Sequence, residues 1–417
     1  MATEADLSTK HRHGVVAALT LSYAQLTPEH DAAALSLFHR LAWLAPLPIP
    51  EALLTALSDG QSPDPALRGL RVVGLIDRYI DRIQLHRLIT AFGRERDPEP
   101  TATLSDTVTA VLAVIGDQDL DRMPLAGTPH RPHLEELCRH ADRLADVLAA
   151  RLLMKTGWLL DIQGAYAAAR PLYERVLAIC ERSLGPDHPD TVQSLTNLAG
   201  VLEAQGKYAA ARPLYERVLT IVERNLGPDH PQTAASLTDL AECLQAQGKY
   251  AAARPLYERA LAIYERSLGP DHPQTAASLT DLAVCLEAQG EYTAARPLLE
   301  RALAIYERSL GPNHPQTAAS MTNLAGLFYA QEKYAAARPL FERALAIYER
   351  SFGPDHPDVA TTLNNLAVCL WAQGKYAAAR PLLERALAIY ERSLGPDHPQ
   401  TRLMRKQMIT LRNSDMR

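Results

Sequence analysis

GPDHPQTAASLTDLAVCLEAQGEYTAARPLLERALAIYERSL, running from Gly269 to Leu310, is the stretch on which the fold turns. Its first five residues recur at Gly185, Gly227, Gly353 and Gly395, and as GPNHP at Gly311, always at the same interval (227 − 185 = 42). Within that interval, apolar residues follow helical spacing twice. The segment TAASLTDLAVCLEAQG is expected to form a first helix, with Asp271 as its cap and Pro273 in the first turn, where a missing N–H costs nothing. Gly290 supplies the left-handed residue that ends it. The segment AARPLLERALAIYERSL is expected to form the second, its Pro297 tolerated near the start, where amides lack partners. Gly311 and Pro312 stop that helix, so the motif closes one helix and opens the next.

Five of the six motif copies carry an Asp-His pair, which raises the alternative of a row of metal or catalytic sites. The histidines, His188 through His398, stand one repeat apart, and packed helices lie about 10 Å from one another. Bonds to zinc are about 2.0–2.1 Å long, so neighbouring copies cannot share an ion. The motif is therefore assigned to capping and turn structure, and no metal is expected. Cys243, Cys285 and Cys369 hold one repeat position that is Val201 and Leu327 in other copies. Exchange with Val and Leu marks a buried apolar slot, and no CxxC pair points to zinc or redox chemistry.

With 417 residues, 47 % of them hydrophobic, the chain can bury a substantial core, and only 6 % aromatic content favours close-packed helices over sheets. A net charge of −5 speaks against a general nucleic-acid binder. The opening MATEADLSTKHRHG has no apolar core of signal-peptide length, and no run of 18 uncharged apolar residues occurs. A cytoplasmic protein without a membrane segment is expected.

A two-helix unit with a period in this range is the mark of a helical repeat protein. The units resemble tetratricopeptide (TPR) repeats of the kinesin-light-chain type, a variety longer than the common form of about 34 residues. The resemblance rests on the pairs Leu198-Ala199, Leu240-Ala241, Leu282-Ala283, Leu324-Ala325 and Leu366-Ala367, and on the Gly-Lys-Tyr turns beginning at Gly206, Gly248 and Gly374. It rests also on small residues in the second helix, from Ala211 to Ala379 and from Ala260 to Ala386, where close helix approach needs them. A degenerate first unit with Trp158, Gly164 and Tyr166 in register brings the count to six. In the fifth unit Glu332 replaces glycine, at a cost of about 1 kcal/mol if that position requires positive φ. The fold class implied is all-α: a right-handed TPR α-solenoid of about six 42-residue helix-turn-helix units. The tail TRLMRKQMITLRNSDMR reads as a capping helix.

Residues 1–97 differ. VVAALTLSYAQL, PEHDAAALSLFHRLAWLAP, PIPEALLTAL and ALRGLRVVGLIDR carry helical spacing, and YIDRIQLH could pair as a two-stranded wing. With Leu44-Ala45-Pro46, Ile49-Pro50, Gly74-Leu75-Ile76 and Leu85-His86-Arg87-Leu88, the order resembles the winged-helix-like segment of STAND (NB-ARC-type) regulatory ATPases. In those regulators the segment follows the nucleotide-binding module and leads into a repeat array. The phosphate-cradling G-x-x-x-x-G-K-[ST] is absent, so no ATP site is carried over and no cofactor is expected. The expectation is that the ATPase resides on another polypeptide or that the protein works without one. The expected division is 1–97 winged-helix-like, 98–140 a linker with helical segments, 141–396 the array and 397–417 the capping helix and tail.

No G-x-S-x-G, H-E-x-x-H or G-x-G-x-x-G occurs, which leaves a hydrolase without a supporting motif. Pairs such as Glu258-Arg259 and Glu265-Arg266 recur in every second helix and read as a salt-bridged face, not as an enzyme site. His86 is read as a packing or capping histidine. The expected recognition helix carries Arg68 and Arg71, with Arg78 and Arg82 close by, but its centre is apolar and Asp77 and Asp81 lie beside it, which weighs against duplex binding.

Positions that vary among near-identical repeats separate reader from scaffold. In TPR arrays the inner groove is lined by the first helix of each unit, and the residue before the Leu-Ala pair clamps a bound peptide's backbone. Here the resemblance places Asn197, Asp239, Asp281, Asn323 and Asn365 there. Residues three and six further on share the stripe, among them Glu242, Glu287, Tyr329 and Trp371. The stripe reads as acidic in its middle and aromatic toward its C-terminal end, with Trp371 expected to be exposed as an anchor. The expected partner is a protein or peptide segment with basic and apolar side chains; a separate ATPase or effector chain is a further candidate. The reading is thus a non-enzymatic interaction scaffold, the sensor part of a split or degenerate STAND-type regulator. The alternative is a winged-helix DNA-binding transcriptional regulator with a TPR sensor.

Overall fold

The computed structural model describes residues 15–79, 82–116, 129–393, 395–396, 401–406 and 408. Helices dominate, and the strands among the described residues form one antiparallel ribbon. The chain divides into two compact units, Met1–Leu214 and Tyr215–Arg417, with the boundary inside a helix.

The first unit begins with α1 (15–23), α2 (Pro28–Ala42), α3 (Glu51–Leu57) and α4 (Asp64–Val72). The ribbon of β1 (Asp77–Tyr79) and β2 (Arg82–Gln84) follows, with Asp77 opposite Gln84. The Ile49 N–H donates to the Ile83 carbonyl at 2.9 Å and adds a bridge to β2. Next come α5 (Arg87–Arg96), α6 (Pro100–Gly116), α7 (Arg131–Arg139), and the repeat helices α8 (Asp146–Ile162), α9 (Tyr166–Ser183), α10 (Pro189–Ala204) and α11 (Tyr208–Leu226). One core runs from α1 to α9. Phe38, Leu41, Trp43 and Leu53 are fully buried, and Leu104, Val108 and Val111 of α6 join them together with Leu152 and Leu153 of α8. Each such side chain contributes about 1.5–3 kcal/mol on burial, so the stretch 98–140 is held by packed helices. Its residues 117–128 lie outside the described residues. The buried Trp43 indole N–H donates to Asp97, whose other oxygen accepts from Thr103 and the Glu99 N–H. His86 caps α5, its Nδ1 accepting from the Leu88 N–H at 3.3 Å.

The second unit is a run of helix pairs: α12 (Pro231–Ala246) with α13 (Tyr250–Ser267), α14 (Pro273–Ala288) with α15 (Tyr292–Ser309), α16 (Pro315–Ala330) with α17 (Tyr334–Phe352), and α18 (Pro357–Ala372) with α19 (Tyr376–Ser393). Ala241, Ala283, Ala325 and Ala367 have no solvent exposure, and neither do Ala260, Ala302, Ala344 and Ala386; only so small a side chain lets the backbones come this close. Cys243, Cys285 and Cys369 are buried, as their exchange with Val and Leu implies. A short helix α20 (401–406) buries Met404 and sets Arg405 against Glu391 of α19.

The corner between units works differently from the sequence expectation. Pro273 is the first residue of α14, so the cap is His272 and not Asp271. The His272 Nδ1 accepts from the Gln274 N–H at 3.1 Å, and His188, His230, His314 and His356 do the same for their helices. Asp271 instead accepts from Arg308 at 2.7 Å, as Asp229 does from Arg266 and Asp355 from Arg392. The Thr275 hydroxyl donates to the Gly269 carbonyl at 2.8 Å and ties the turn shut. The sixth motif copy, with His398, lies outside the described residues.

Two further details follow from local geometry. Pro255 and Pro297 are the sixth residues of α13 and α15, past the first turn, which corrects the expectation of a position among unpaired amides. Ala251 and Thr293, whose carbonyls lose their helical partners, are exposed, so water can take up the bond. Glu332 does take φ 60°, where Gly290 and Gly374 take 80° and 75°, so the fifth unit carries the strain its sequence implies.

Candidate functional site

Consecutive first helices of the second unit (α12, α14, α16, α18) approach one another more closely than consecutive second helices do, which sets them on the inner layer of that unit. The second helices carry the ion pairs expected of their outer face: Arg301 with Glu265 at 2.6 Å and Arg259 with Glu223 at 2.6 Å between pairs, and Arg296 with Glu300 within one helix. Pairs this exposed contribute about 0.2–1 kcal/mol each.

On the inner layer, Asp281 is half-buried one turn after the buried Ser278. No hydrogen bond or ion pair reaches its carboxylate among the described residues, and burial pushes its pKa up to about 6. Tyr264 and Tyr306 stand close enough to feel its charge: burial raises both phenols and the carboxylate adds to it, while at Tyr264 a hydrogen bond with Gln274 works the other way. The Asp239 carboxylate raises Tyr264 as well, more than Asp281 does. Glu287 is half-buried, with its carboxyl raised by burial, whereas Glu242 is exposed.

Other stripe residues are placed less as expected. Asn323 and Asn365 are half-buried. Trp371 is half-buried rather than exposed, its ring 4.5 Å from that of Tyr376, and Tyr329 packs 5.4 Å from Tyr334. Each aromatic therefore leans on the first residue of its own unit's second helix and stays partly exposed. Asn197 lies in the first compact unit and is committed there: its Nδ2 donates toward the Met154 sulfur at 3.0 Å, and its Oδ1 accepts from Gln193.

One set of residues was missed by sequence reasoning, although a subtraction finds it. The stripe position of Asn197 in the degenerate unit is Lys155 (197 − 155 = 42), with Arg151 one turn before and Trp158 one turn after. The first helix of the array is thus basic and aromatic where the fourth unit is acidic.

The family model described as "Tetratricopeptide repeat" matches residues 157–224, 192–266, 239–308, 282–350, 322–392 and 358–408, which is more than half of the chain. The chain belongs to the tetratricopeptide repeat family. Proteins of this family generally mediate protein–protein interaction through a scaffold that is typically non-enzymatic. Among solved structures, it is similar to the nearly identical TPR-like repeats of a kinesin-light-chain-like protein from Podosopora anserina (31 % identity, 50 % of this chain and 98 % of that one, TM-score 0.44). It is similar to BtubC (BKLC) from P. vanneervenii (23 % identity, 58 % of this chain and 94 % of that one, TM-score 0.46). A third likeness is to a Signal Transduction ATPase with Numerous Domains protein with a tetratricopeptide repeat sensor from Pyrococcus horikoshii (16 % identity, 92 % of this chain and 59 % of that one, TM-score 0.44). No curated protein matches the chain. No helix among the described residues is long and apolar enough to cross a membrane.

Proposed function

We propose that the protein is a non-enzymatic scaffold or sensor that grips a peptide or protein segment along the inner stripe of its second unit. Asp239, Glu242, Asp281 and Glu287 receive basic side chains of the partner, Asn323 and Asn365 hold its backbone, and the partly exposed Tyr329 and Trp371 meet apolar ones. The observation that carries this reading is Asp281: a half-buried carboxylate without a cation is costly, and a ligand ammonium or guanidinium removes that cost. Residues 1–97 serve as a winged-helix-like packing element, 98–140 as a connector and 141–396 as the reader, ended by 397–417. The whole acts as the sensor part of a split or degenerate STAND-type regulator. A second reading, duplex DNA on α4, is favoured by the exposure of Arg68 and Arg71; a gel shift at physiological salt separates the two.

Fluorescence anisotropy on the full chain tests the stripe, using a labelled peptide of alternating Lys and Leu and a control with Glu for Lys. The basic peptide should bind preferentially, and the Asp239→Lys, Asp281→Lys double variant should lose about tenfold or more in affinity. Affinity should also fall as pH drops through about 6, because Asp281 then takes up its proton. Preference for the acidic control, or an unchanged affinity in the double variant, removes the reading.

A further inference from the structure

We propose that the first compact unit holds a binding site for a small amphipathic monocarboxylate, an apolar acyl or aryl body with one anionic head. The site is a cavity of about 820 Å3 bordered by α6, α8, α9 and α10. That volume falls within the range of about 300–1,000 Å3 in which proteins hold small organic ligands.

The walls are mostly apolar, with Leu112, Val147, Ala150, Met154, Val176 and Ile179 lining the body of the cavity. Val147 is 69 % exposed and Leu184, also on the lining, 42 %. Large apolar side chains left open around a cavity favour an apolar guest.

The charge at the rim selects the head group. Arg151 and Lys155 are one turn apart on α8, so their side chains emerge from the same face. Like charges at this spacing disfavour the helix on their own. Among the described residues no carboxylate lies within ion-pair distance of either, and Lys155 meets only the Trp158 ring, with Nζ 4.0 Å from its centroid. The acids of the same lining are engaged elsewhere: Asp146 accepts from Arg182 at 2.8 Å and from Ser183, and Asp190 sits in the first turn of α10, where the helix N-terminus favours a negative charge. A carboxylate placed between Arg151 and Lys155 would relieve their repulsion and accept from both. Trp158 then flanks the start of the apolar body. At the same repeat positions later units have Gln193 and Asn197, Ala235 and Asp239, or Ala277 and Asp281, so the basic pair belongs to the first unit alone among these.

The inference does not depend on the peptide reading, because the cavity is contained within the first unit and shares no acidic stripe residue with it. Calorimetric titration of the full chain with decanoate, decan-1-ol and decyltrimethylammonium tests it. Decanoate should bind once per chain and at least tenfold more tightly than decan-1-ol, with the cationic analogue weakest. The Arg151→Gln, Lys155→Gln double variant, checked for an unchanged helical circular-dichroism melt, should bind decanoate and decan-1-ol alike. Ala150→Phe, which fills the cavity, should weaken both, whereas Asp281→Lys should leave decanoate binding unchanged. The absence of saturable decanoate binding, a preference for the cation, or a preference for decanoate that survives in the double variant would overturn the proposal.

Discussion

Helices α8 and α14 hold corresponding places in the first and fourth units, yet they present opposite chemistry. On α8 the inner stripe reads Arg151, Lys155 and Trp158; on α14 the same positions read Ala277, Asp281 and Val284. Toward the core they agree, with Leu153 against Leu279 and Leu160 against Leu286, all but fully buried. The difference teaches that this scaffold keeps packing and surface chemistry on separate residues of one helix. Core positions can then stay fixed by volume while charge on the stripe is set freely.

The sharpest way to break that separation is to disturb a core position and a stripe position on one helix and compare them. Leu279→Ala removes a fully buried side chain and should cost about 2–5 kcal/mol, with faster amide exchange spreading to the neighbouring pairs. Exchange mass spectrometry checks this; a loss confined to α14 would show that the pairs do not share their stability.

Asp281→Asn should act in the other direction. The folded chain holds the Asp281 proton up to about pH 6, whereas the unfolded chain releases it near 4, so its contribution is full below pH 4 and lost as pH rises through 6. Removing the charge should therefore stabilise the protein at pH 7.5 by on the order of 1–2 kcal/mol and do nothing at pH 3.5. Urea titrations at the two pH values read the difference; an equal effect at both would mean the carboxylate is well solvated.

A smaller effect belongs to the corner. His272→Ala deletes the cap and should cost about 1 kcal/mol, and His272→Asn, which can cap in the same way, should restore most of it. Failure of Asn to rescue, measured by thermal melts, would shift the role of the ring from hydrogen bonding to packing.

The helices of the array were legible in the sequence because a fixed period lets every copy report on every other. The cap was legible too but misassigned: a proline at the first helical position makes the preceding residue the cap, which selects His272, although Asp is the commoner capping type. Trp371 was misplaced because exchange with Glu287 suggested exposure, and the ring of Tyr376 that half covers it lies across a turn. The basic pair on α8 escaped notice because the stripe was located from the Leu-Ala pair, which is Thr156-Gly157 in the first unit, although Trp158, Gly164 and Tyr166 already set its register. Burial of α6 could not be read at all, since Leu104 and Val108 look alike in a linker and in a core, and only the tertiary partners decide.

The corner contacts have a consequence for how such a chain can change length. Asp271 is reached by Arg308, 37 residues on, and Glu265 by Arg301, 36 residues on, so these bonds span a single period. A further copy of 42 residues spliced in at a Gly-Pro boundary would meet, at both of its junctions, the same residues its neighbours already meet. Duplication or excision of whole modules should leave no orphaned surface, and the number of modules becomes a quantity that recombination can dial without redesigning any one of them.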